Sequence, residues 1–160
     1  MLYSCGNYYN WPAAIANTIY YTSPTYKDNN NKTSETVDTS ICPAGWRLPY
    51  GRDTGNGATS GGFYNLDTAI RNGETLTNAE ASNRWCSYPN NFVMPGSLGS
   101  SSPNSRGTYG YYISSTSYDY SYYGRLTYYS LSINQNSVSP GTNISGKYSG
   151  HSVRCVKIAN

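Results

Sequence analysis

Apolar residues recur at helical spacing in the middle of the chain. Within residues 62–72, Phe63, Leu66 and Ile70 follow one another at intervals of three and four residues, which places them on one face of a helix. Gly73 comes next, and glycine is the residue that most often ends a helix. The pattern therefore predicts a short amphipathic helix over residues 62–72.

A second helix is predicted over residues 76–85. Thr77 and Glu80 form the S/T-x-x-E pattern, in which each side chain accepts a hydrogen bond from the other residue's backbone N–H at the start of a helix. We expect Trp85 and Cys86 to end this helix against the core.

Beyond residue 90 the pattern changes to runs of β-branched and aromatic residues between Gly, Pro, Ser and Asn. The runs are NFVMPGSLG, RGTYGYYISSTS, GRLTYYSLSI and HSVRCVKI, and each is typical of strands bounded by turns. Pro140 and Gly141 mark a further turn. Two helices followed by strands predict an α+β fold, in which two short helices pack on irregular antiparallel sheets.

Two polar stretches before these strands are predicted to be loops. Residues 23–40 and 51–62 consist mostly of polar residues and glycine, without periodicity. The run ICPAGWRLP separates them and predicts a short buried strand or turn. Its large apolar residues are Ile41, Trp46 and Leu48.

Composition and charge exclude several classes of protein. The length of 160 residues predicts one domain, residues 1–160. The net charge of +3 comes without a dense basic run, so nucleic acid is not an expected partner. No apolar stretch reaches the ~18 residues of a membrane span, and the opening MLYSCGNYY lacks the basic and apolar regions of a signal peptide. We therefore expect no direct membrane insertion by this chain and expect any signal or anchor to lie outside it.

The four cysteines, Cys5, Cys42, Cys86 and Cys155, are widely spaced and form no CxxC motif. This spacing argues against zinc and favours two disulfides formed in an oxidising compartment. Three connectivities are possible, and four free thiols in a cytosolic protein are the alternative. With charged residues at only 12%, we favour an extracellular or cell-surface location, which includes the surface of a virus particle.

Tyrosine is concentrated in residues 109–130, which contain nine of the nineteen tyrosines among Ser, Thr and Gly. This composition is typical of antibody-like contact surfaces, where tyrosine provides a large amphipathic area with little side-chain entropy to lose. In an extended chain, Tyr118, Tyr120 and Tyr122 fall on one face. The alternative is a tyrosine-rich sheet whose rings pack on each other.

Enzymatic chemistry is not expected. The sequence contains no HExxH, GxSxG or P-loop pattern, and the acidic signatures of calcium-dependent sugar binding are missing. His151, the only histidine, has no Cys or carboxylate at a ligand spacing. We therefore predict no catalytic residue, no metal and no cofactor.

Four motifs occur in a fixed order, namely ICPAGWRLP, NNFVMPGSLGSSSP, RGTYGYY followed by SSTS, and GHSVRCVKI. The ordered set resembles the FISUMP-type domain, a bacterial and archaeal branch of the C-type lectin-like fold, over roughly residues 5 to 158. The resemblance implies a C-type lectin-like scaffold. It also implies that Cys42 pairs with Cys155, which leaves Cys5 and Cys86 as the second pair.

Domains similar to this one include the variable proteins of diversity-generating retroelements, in which adenine-directed mutagenesis rewrites codons near the end of the gene. The resemblance implies a diversified ligand face in about residues 112–151, with side chains that point outward from the sheet. The partner would be a protein or glycan on another cell or particle. The candidate ligand-binding residues are Ile113, Tyr118, Tyr120, Tyr122, Arg125, Thr127, Tyr129, Tyr148 and His151.

Two other functions fit the same composition. A surface adhesin or carbohydrate-binding module without diversification would use the tyrosines to stack on sugar rings. A structural or filament subunit would use them for self-association. Two roles stay open for Arg125. It either binds a carboxylate or phosphate of the partner or is simply solvated.

Overall fold

The structure is a computed structural model and describes residues 7–17, 33–51, 62–99, 102–120 and 125–158. These residues form a mixed α+β arrangement of short helices and small antiparallel sheets, as predicted. The helices are α1 (Trp11–Ala14), α2 (Gly62–Arg71) and α3 (Asn78–Cys86). The strands are β1 (Thr33–Thr36), β2 (Trp46–Arg47), β3 (Ser97–Leu98), β4 (Pro103–Asn104), β5 (Tyr109–Tyr120), β6 (Arg125–Asn134), β7 (Ser137–Gly146) and β8 (Val156–Lys157).

The main sheet has the strand order β1-β5-β6-β7, and all its strands are antiparallel. Its centre is the hairpin of β5 and β6, which pairs Tyr109 with Asn134 at one end and Tyr120 with Arg125 at the other. The register shifts between Ile113 and Ser117. Such a bulge bends and twists the strand, so the two ends of β5 have different surroundings. Two-stranded ribbons form from β2 with β8 and from β3 with β4.

Each of the two longer helices begins and ends within two residues of its predicted bounds. In α2 Phe63 is fully buried, and Gly73 follows the helix with a φ of 77°, a conformation that glycine adopts without strain. The carboxylate of Asp67 accepts hydrogen bonds from Arg71 Nε at 2.7 Å and from Trp85 Nε1 at 2.8 Å. Asp67 thereby joins α2 to α3.

The predicted capping box at the start of α3 is present. The Thr77 N–H donates to Glu80 Oε2 at 2.8 Å, and the Glu80 N–H donates to Thr77 Oγ1 at 3.3 Å. The Thr77 hydroxyl, which donates to Glu80 Oε2 at 2.7 Å, and the Thr77 N–H together lower the pKa of the Glu80 carboxyl. Two backbone N–H groups that would lack a partner in the helix are satisfied in this way.

We expect Thr77→Ala to lower the free energy of unfolding by about 1 kcal/mol, because it removes the N-cap acceptor. Urea denaturation followed by tryptophan fluorescence measures the change. Thr75→Ala is the matched control, since Thr75 is an exposed threonine just outside the capping box. An equal loss in both variants would contradict a role for the cap.

The sheet has a buried cluster on each face, because the consecutive residues Tyr112 and Ile113 of β5 point to opposite sides. Under α2 and α3, Trp85 packs edge-to-face on Phe92, and Phe92 packs in the same way on Tyr112. The cluster on this face consists of Phe63, Trp85, Phe92, Tyr112, Leu131 and Ile133. The cluster on the other face consists of Trp11, Ala14, Ile15, Val37, Leu48, Ile113 and Tyr128.

Cys42 and Cys155 form a disulfide, with an S–S distance of 2.06 Å. This pairing agrees with the one that the resemblance implies. Cys86 has a free thiol, and Cys5, its predicted partner, lies outside the described residues. Burial raises the pKa of the Cys86 thiol, which keeps it protonated and a poor nucleophile.

Three expectations from the sequence pattern are wrong. Pro140 and Gly141 lie inside β7 instead of in a turn between strands, at the point where the pairing with β6 shifts register. Thr33–Thr36 forms a strand within the predicted loop 23–40, because β5 provides a pairing partner that no local pattern reveals. In residues 41–49 Leu48 is buried, but Trp46 is 45% exposed and Ile41 is 41% exposed. Within the described ranges, no helix is long and apolar enough to cross a membrane.

Candidate functional site

Five ring side chains contact one another in a row on one face of the main sheet. Tyr109 stacks on Tyr111 with ring centroids 5.7 Å apart, and Tyr111 stacks on His151 at 5.0 Å. His151 contacts Tyr128 at 5.9 Å, and Tyr128 stacks on Trp11 at 6.2 Å. We call these five residues the aromatic ladder.

Backbone pairing places His151 beside Tyr111. The N–H of Ser152 donates to the carbonyl of Tyr111 at 3.1 Å, and the N–H of Ile113 donates to the carbonyl of Ser152 at 3.0 Å. His151 in turn exchanges two hydrogen bonds of 2.9 Å with Tyr9. The ladder therefore joins residues from near both ends of the chain to the central hairpin.

His151 is 4% exposed, and this burial lowers its pKa from 6.5 to about 4. Burial also raises the pKa of Tyr128 well above its usual value. At neutral pH the imidazole is therefore uncharged and the phenol keeps its proton. The Tyr128 hydroxyl and His151 Nδ1 lie 2.5 Å apart and share a hydrogen bond, whose donor depends on the tautomer of the neutral imidazole.

A buried lysine lies at the inner end of the ladder. Lys147 is 2% exposed, and its Nζ lies 4.6 Å from the ring centroid of Trp11. The Trp11 backbone N–H donates to the Lys147 carbonyl at 3.1 Å. The contact places the Lys147 amine over the face of the Trp11 ring.

The outer end of the ladder reaches the surface, where Tyr109 and Tyr111 are half-buried. Tyr8, also half-buried, donates its hydroxyl hydrogen bond to the Pro95 carbonyl and accepts one from Arg106 Nε at 3.1 Å. The next residue after Pro95, Gly96, donates its N–H to the Tyr109 carbonyl at 2.7 Å. We call the residues Tyr8, Arg106, Tyr109 and Tyr111 the tyrosine ledge.

The structure places the predicted ligand-binding residues in three groups. One residue, Tyr148, is exposed, at 70%. The side chains of Tyr120 and Arg125, and Tyr122 as a whole, lie outside the description. The buried group is Ile113, Tyr118, Thr127, Tyr129 and His151.

For the buried group, the expectation of outward-pointing side chains is wrong, because both faces of the sheet are covered. Ile113 lies in the core cluster with Trp11 and Tyr128. Tyr118 and Tyr129 contact each other with ring centroids 4.8 Å apart. For this pair, the alternative of rings that pack on each other describes the structure better.

Little in the sequence pattern indicated the ledge. Its strand residues, Tyr109 and Tyr111, are two positions apart and so lie on one face of β5, a signal that was present in RGTYGYY. Tyr8 and Arg106 are far from each other in the chain, and only the tertiary structure brings them together.

Among the residues that the structure describes, no three His, Cys, Asp or Glu side chains are grouped so as to hold a metal ion. Comparisons of the chain with protein-family models, with curated proteins and with solved structures find no match.

Proposed function

We propose that this protein is a ligand-binding protein without enzymatic activity, which displays a tyrosine-rich surface on a C-type lectin-like scaffold. Variable proteins of diversity-generating retroelements work in this way, and we propose that this chain is one of them. Binding is reversible and uses aromatic contact area together with hydroxyl hydrogen bonds.

The observation that supports binding most directly is the stacking of the half-buried tyrosines on the buried part of the ladder. Tyr109 and Tyr111 are partly accessible to a partner, yet Tyr111 is already stacked on buried His151. A side chain that is ordered before binding loses little conformational entropy when a ligand arrives. The order of these tyrosines before binding therefore favours the interpretation of this surface as a binding site over that of a loosely packed patch.

The main alternative, a carbohydrate-binding module, requires aromatic ring faces that are open for a sugar to stack on. The ring of Tyr111 is stacked on two neighbours, and the Arg47 guanidinium lies 3.8 Å from the ring centroid of Tyr50. Because the faces of these rings are covered by neighbours, a ligand would contact their edges and hydroxyls more than their faces. Such a surface favours a protein partner over a sugar.

The proposal predicts which codons vary between copies of the gene. The codon for Tyr148 should differ between copies, because this side chain is exposed and its substitution leaves packing intact. The resemblance to variable proteins implies the same variation at Tyr120, Tyr122 and Arg125. Codons for Ile113 and Tyr128 should stay constant, since both side chains are fully buried. Sequencing many copies of the gene from its natural population measures this distribution.

The second part of the experiment is a search of the flanking DNA. We expect a near-copy of the 3′ end of the gene that differs only at adenines, next to a reverse transcriptase gene. Absence of the copy, together with variation spread evenly over buried and exposed codons, would overturn the proposal of a variable protein.

A further inference from the structure

Strand β7 has an unpaired edge. Among the strands that the structure describes, β7 lies at the end of the order β1-β5-β6-β7 and pairs with β6 alone. An edge strand directs every second backbone N–H and C=O away from its sheet, and these groups can pair with another extended chain. The direction of these groups in β7 therefore shows where a further strand would pair.

The backbone groups of Ile144 point away from the main sheet. Ser130 of β6 pairs with Asn143, and the Ser130 Oγ donates to the Asn143 carbonyl at 3.3 Å, so that carbonyl is directed toward β6. Tyr128 pairs with Ser145 two positions further along the strands. Because the direction of the backbone groups alternates from residue to residue in an antiparallel pair, the N–H and C=O of Ile144 point outward.

Two exposed apolar side chains lie beside this edge. Ile144 is 52% exposed and Tyr148 is 70% exposed. Ile144 and Gly146 are two positions apart in β7, so the side-chain positions of both lie on one face of the sheet. A Cβ added at Gly146 would lie 2.7 Å from the Tyr148 ring, which places that ring on the same face as the Ile144 side chain.

The same face carries three residues of the predicted ligand-binding set. Thr127 pairs with Gly146, and Tyr129 pairs with Ile144. Residues that pair directly across antiparallel strands lie on one face. Tyr129 in turn contacts Tyr118, with ring centroids 4.8 Å apart. The open edge of β7 is therefore continuous with the part of the sheet where the resemblance places the ligand.

An extended polypeptide is the ligand whose chemistry matches this edge. Its backbone repeats the alternation of donor and acceptor that Ile144 presents, so the two can exchange hydrogen bonds. Residues 142–146 contain no charged side chain, and nothing in this part of β7 selects a charged ligand. A partner residue opposite Ile144 would have its side chain on the face of Tyr148, where an apolar side chain would bury apolar surface.

We propose that the edge of β7 at Ile144 binds an extended segment of a partner protein as an additional antiparallel strand. The backbone of Ile144 exchanges hydrogen bonds with the segment, and the side chains of Ile144 and Tyr148 contact its apolar residues. The inference rests on the proposed ligand-binding function and adds the kind of ligand. Backbone pairing provides affinity for any extended sequence, so variation at Tyr148 changes specificity without abolishing binding.

Hydrogen exchange of individual amides, measured by NMR, tests the direction of the backbone groups in the free protein. We expect the Ile144 amide to exchange fast, and the amides of Asn143 and Ser145, which pair with β6, to exchange slowly. A saturating ligand peptide should slow the Ile144 amide. An Ile144 amide that is slow in the free protein and becomes faster on dilution would show that a second copy of the chain occupies the edge, and would overturn the inference.

The ligand probe is a fluorescein-labelled peptide of alternating valine and threonine, and fluorescence anisotropy measures its binding. In the proposed pairing a valine lies opposite Ile144, and the valine N–H groups point toward β7. Methylation of the valine nitrogens should weaken binding by about tenfold, the effect of a lost hydrogen bond, whereas methylation of the threonine nitrogens should weaken it by less than about threefold. Equal losses, or no binding of the unmethylated peptide, would contradict strand pairing.

Two substitutions of Ile144 separate the contribution of the backbone from that of the side chain. Ile144→Ala removes the apolar side chain and keeps the N–H, whereas Ile144→Pro removes both. Proline is tolerated in an edge strand where its nitrogen faces outward, and unchanged near-UV circular dichroism confirms that each variant is folded. We expect Ile144→Pro to bind the peptide about tenfold more weakly than Ile144→Ala. If Ile144→Pro does not fold, the methylated peptides test the same pairing with the natural chain.

The codon analysis does not depend on these results. A Tyr148 codon that varies between copies, together with equal peptide affinities of the two Ile144 variants, would leave the proposed function intact and remove only the strand pairing. Peptide binding that follows the predicted pattern, together with an invariant Tyr148 codon, would support the strand pairing and count against a variable protein.

Discussion

Replacing Cys42 and Cys155 together by alanine is expected to lower the free energy of unfolding by about 4 to 5 kcal/mol, the chain-entropy value for a loop of this length. The two residues are separated by 113 of the chain's 160 positions, so reduction opens a long loop in the unfolded state. Cys42 also packs against the cluster that contains Trp11 and Tyr128. For a domain of this size, such a loss is a large part of the total stability.

Urea denaturation with and without a reducing agent measures this effect. The reductant should shift the transition of the natural chain to lower urea and leave the double variant unchanged. Cys86→Ala is the control, since Cys86 is a free thiol, and it should cost less than about 2 kcal/mol, the low end for truncation of a core side chain. If the reducing agent does not shift the urea unfolding transition of the natural chain, the disulfide does not stabilise the fold.

Acidification is expected to destabilise the protein through His151. Its pKa is about 4 in the folded protein and about 6.5 in an unfolded chain, so between these values the unfolded state binds a proton that the folded state does not. The stabilising contribution is therefore complete above pH ~6.5 and is lost as the pH falls toward ~4, amounting to about 3 kcal/mol.

The measurement compares unfolding free energies from about pH 7.5 down to about pH 4 for the natural chain and for His151→Gln. Glutamine offers an acceptor to the Tyr128 hydroxyl but does not titrate. The variant should be less stable than the natural chain at neutral pH, and it should lose less stability than the natural chain when the pH is lowered. Parallel curves for the two proteins would show that His151 is not the group responsible.

His151 also links stability to the ledge, because its ring stacks on Tyr111 and its backbone pairs with Tyr9. A proton on the imidazole makes both ring nitrogens donors and places a charge in a buried site. The same change disturbs the support beneath Tyr111.

The sequence by itself determined the helices α2 and α3. Residues 62–72 have an apolar face of three side chains, and Thr77 and Glu80 bond to each other's backbone across a single helical turn. Both signals depend on residues three or four positions apart, so local physical chemistry is sufficient. The α+β character followed from the change of pattern near residue 90.

Only the tertiary structure decided which tyrosines face solvent. Tyr118 and Tyr129 have the same local composition as Tyr109 and Tyr111, yet the first two are buried and the second two reach the surface. A strand pattern gives the face on which a side chain lies but not what covers that face. One face of this sheet is covered by segments that are distant in sequence. Tyr9 pairs with His151, and Cys42 is joined to Cys155. No local rule predicts such contacts.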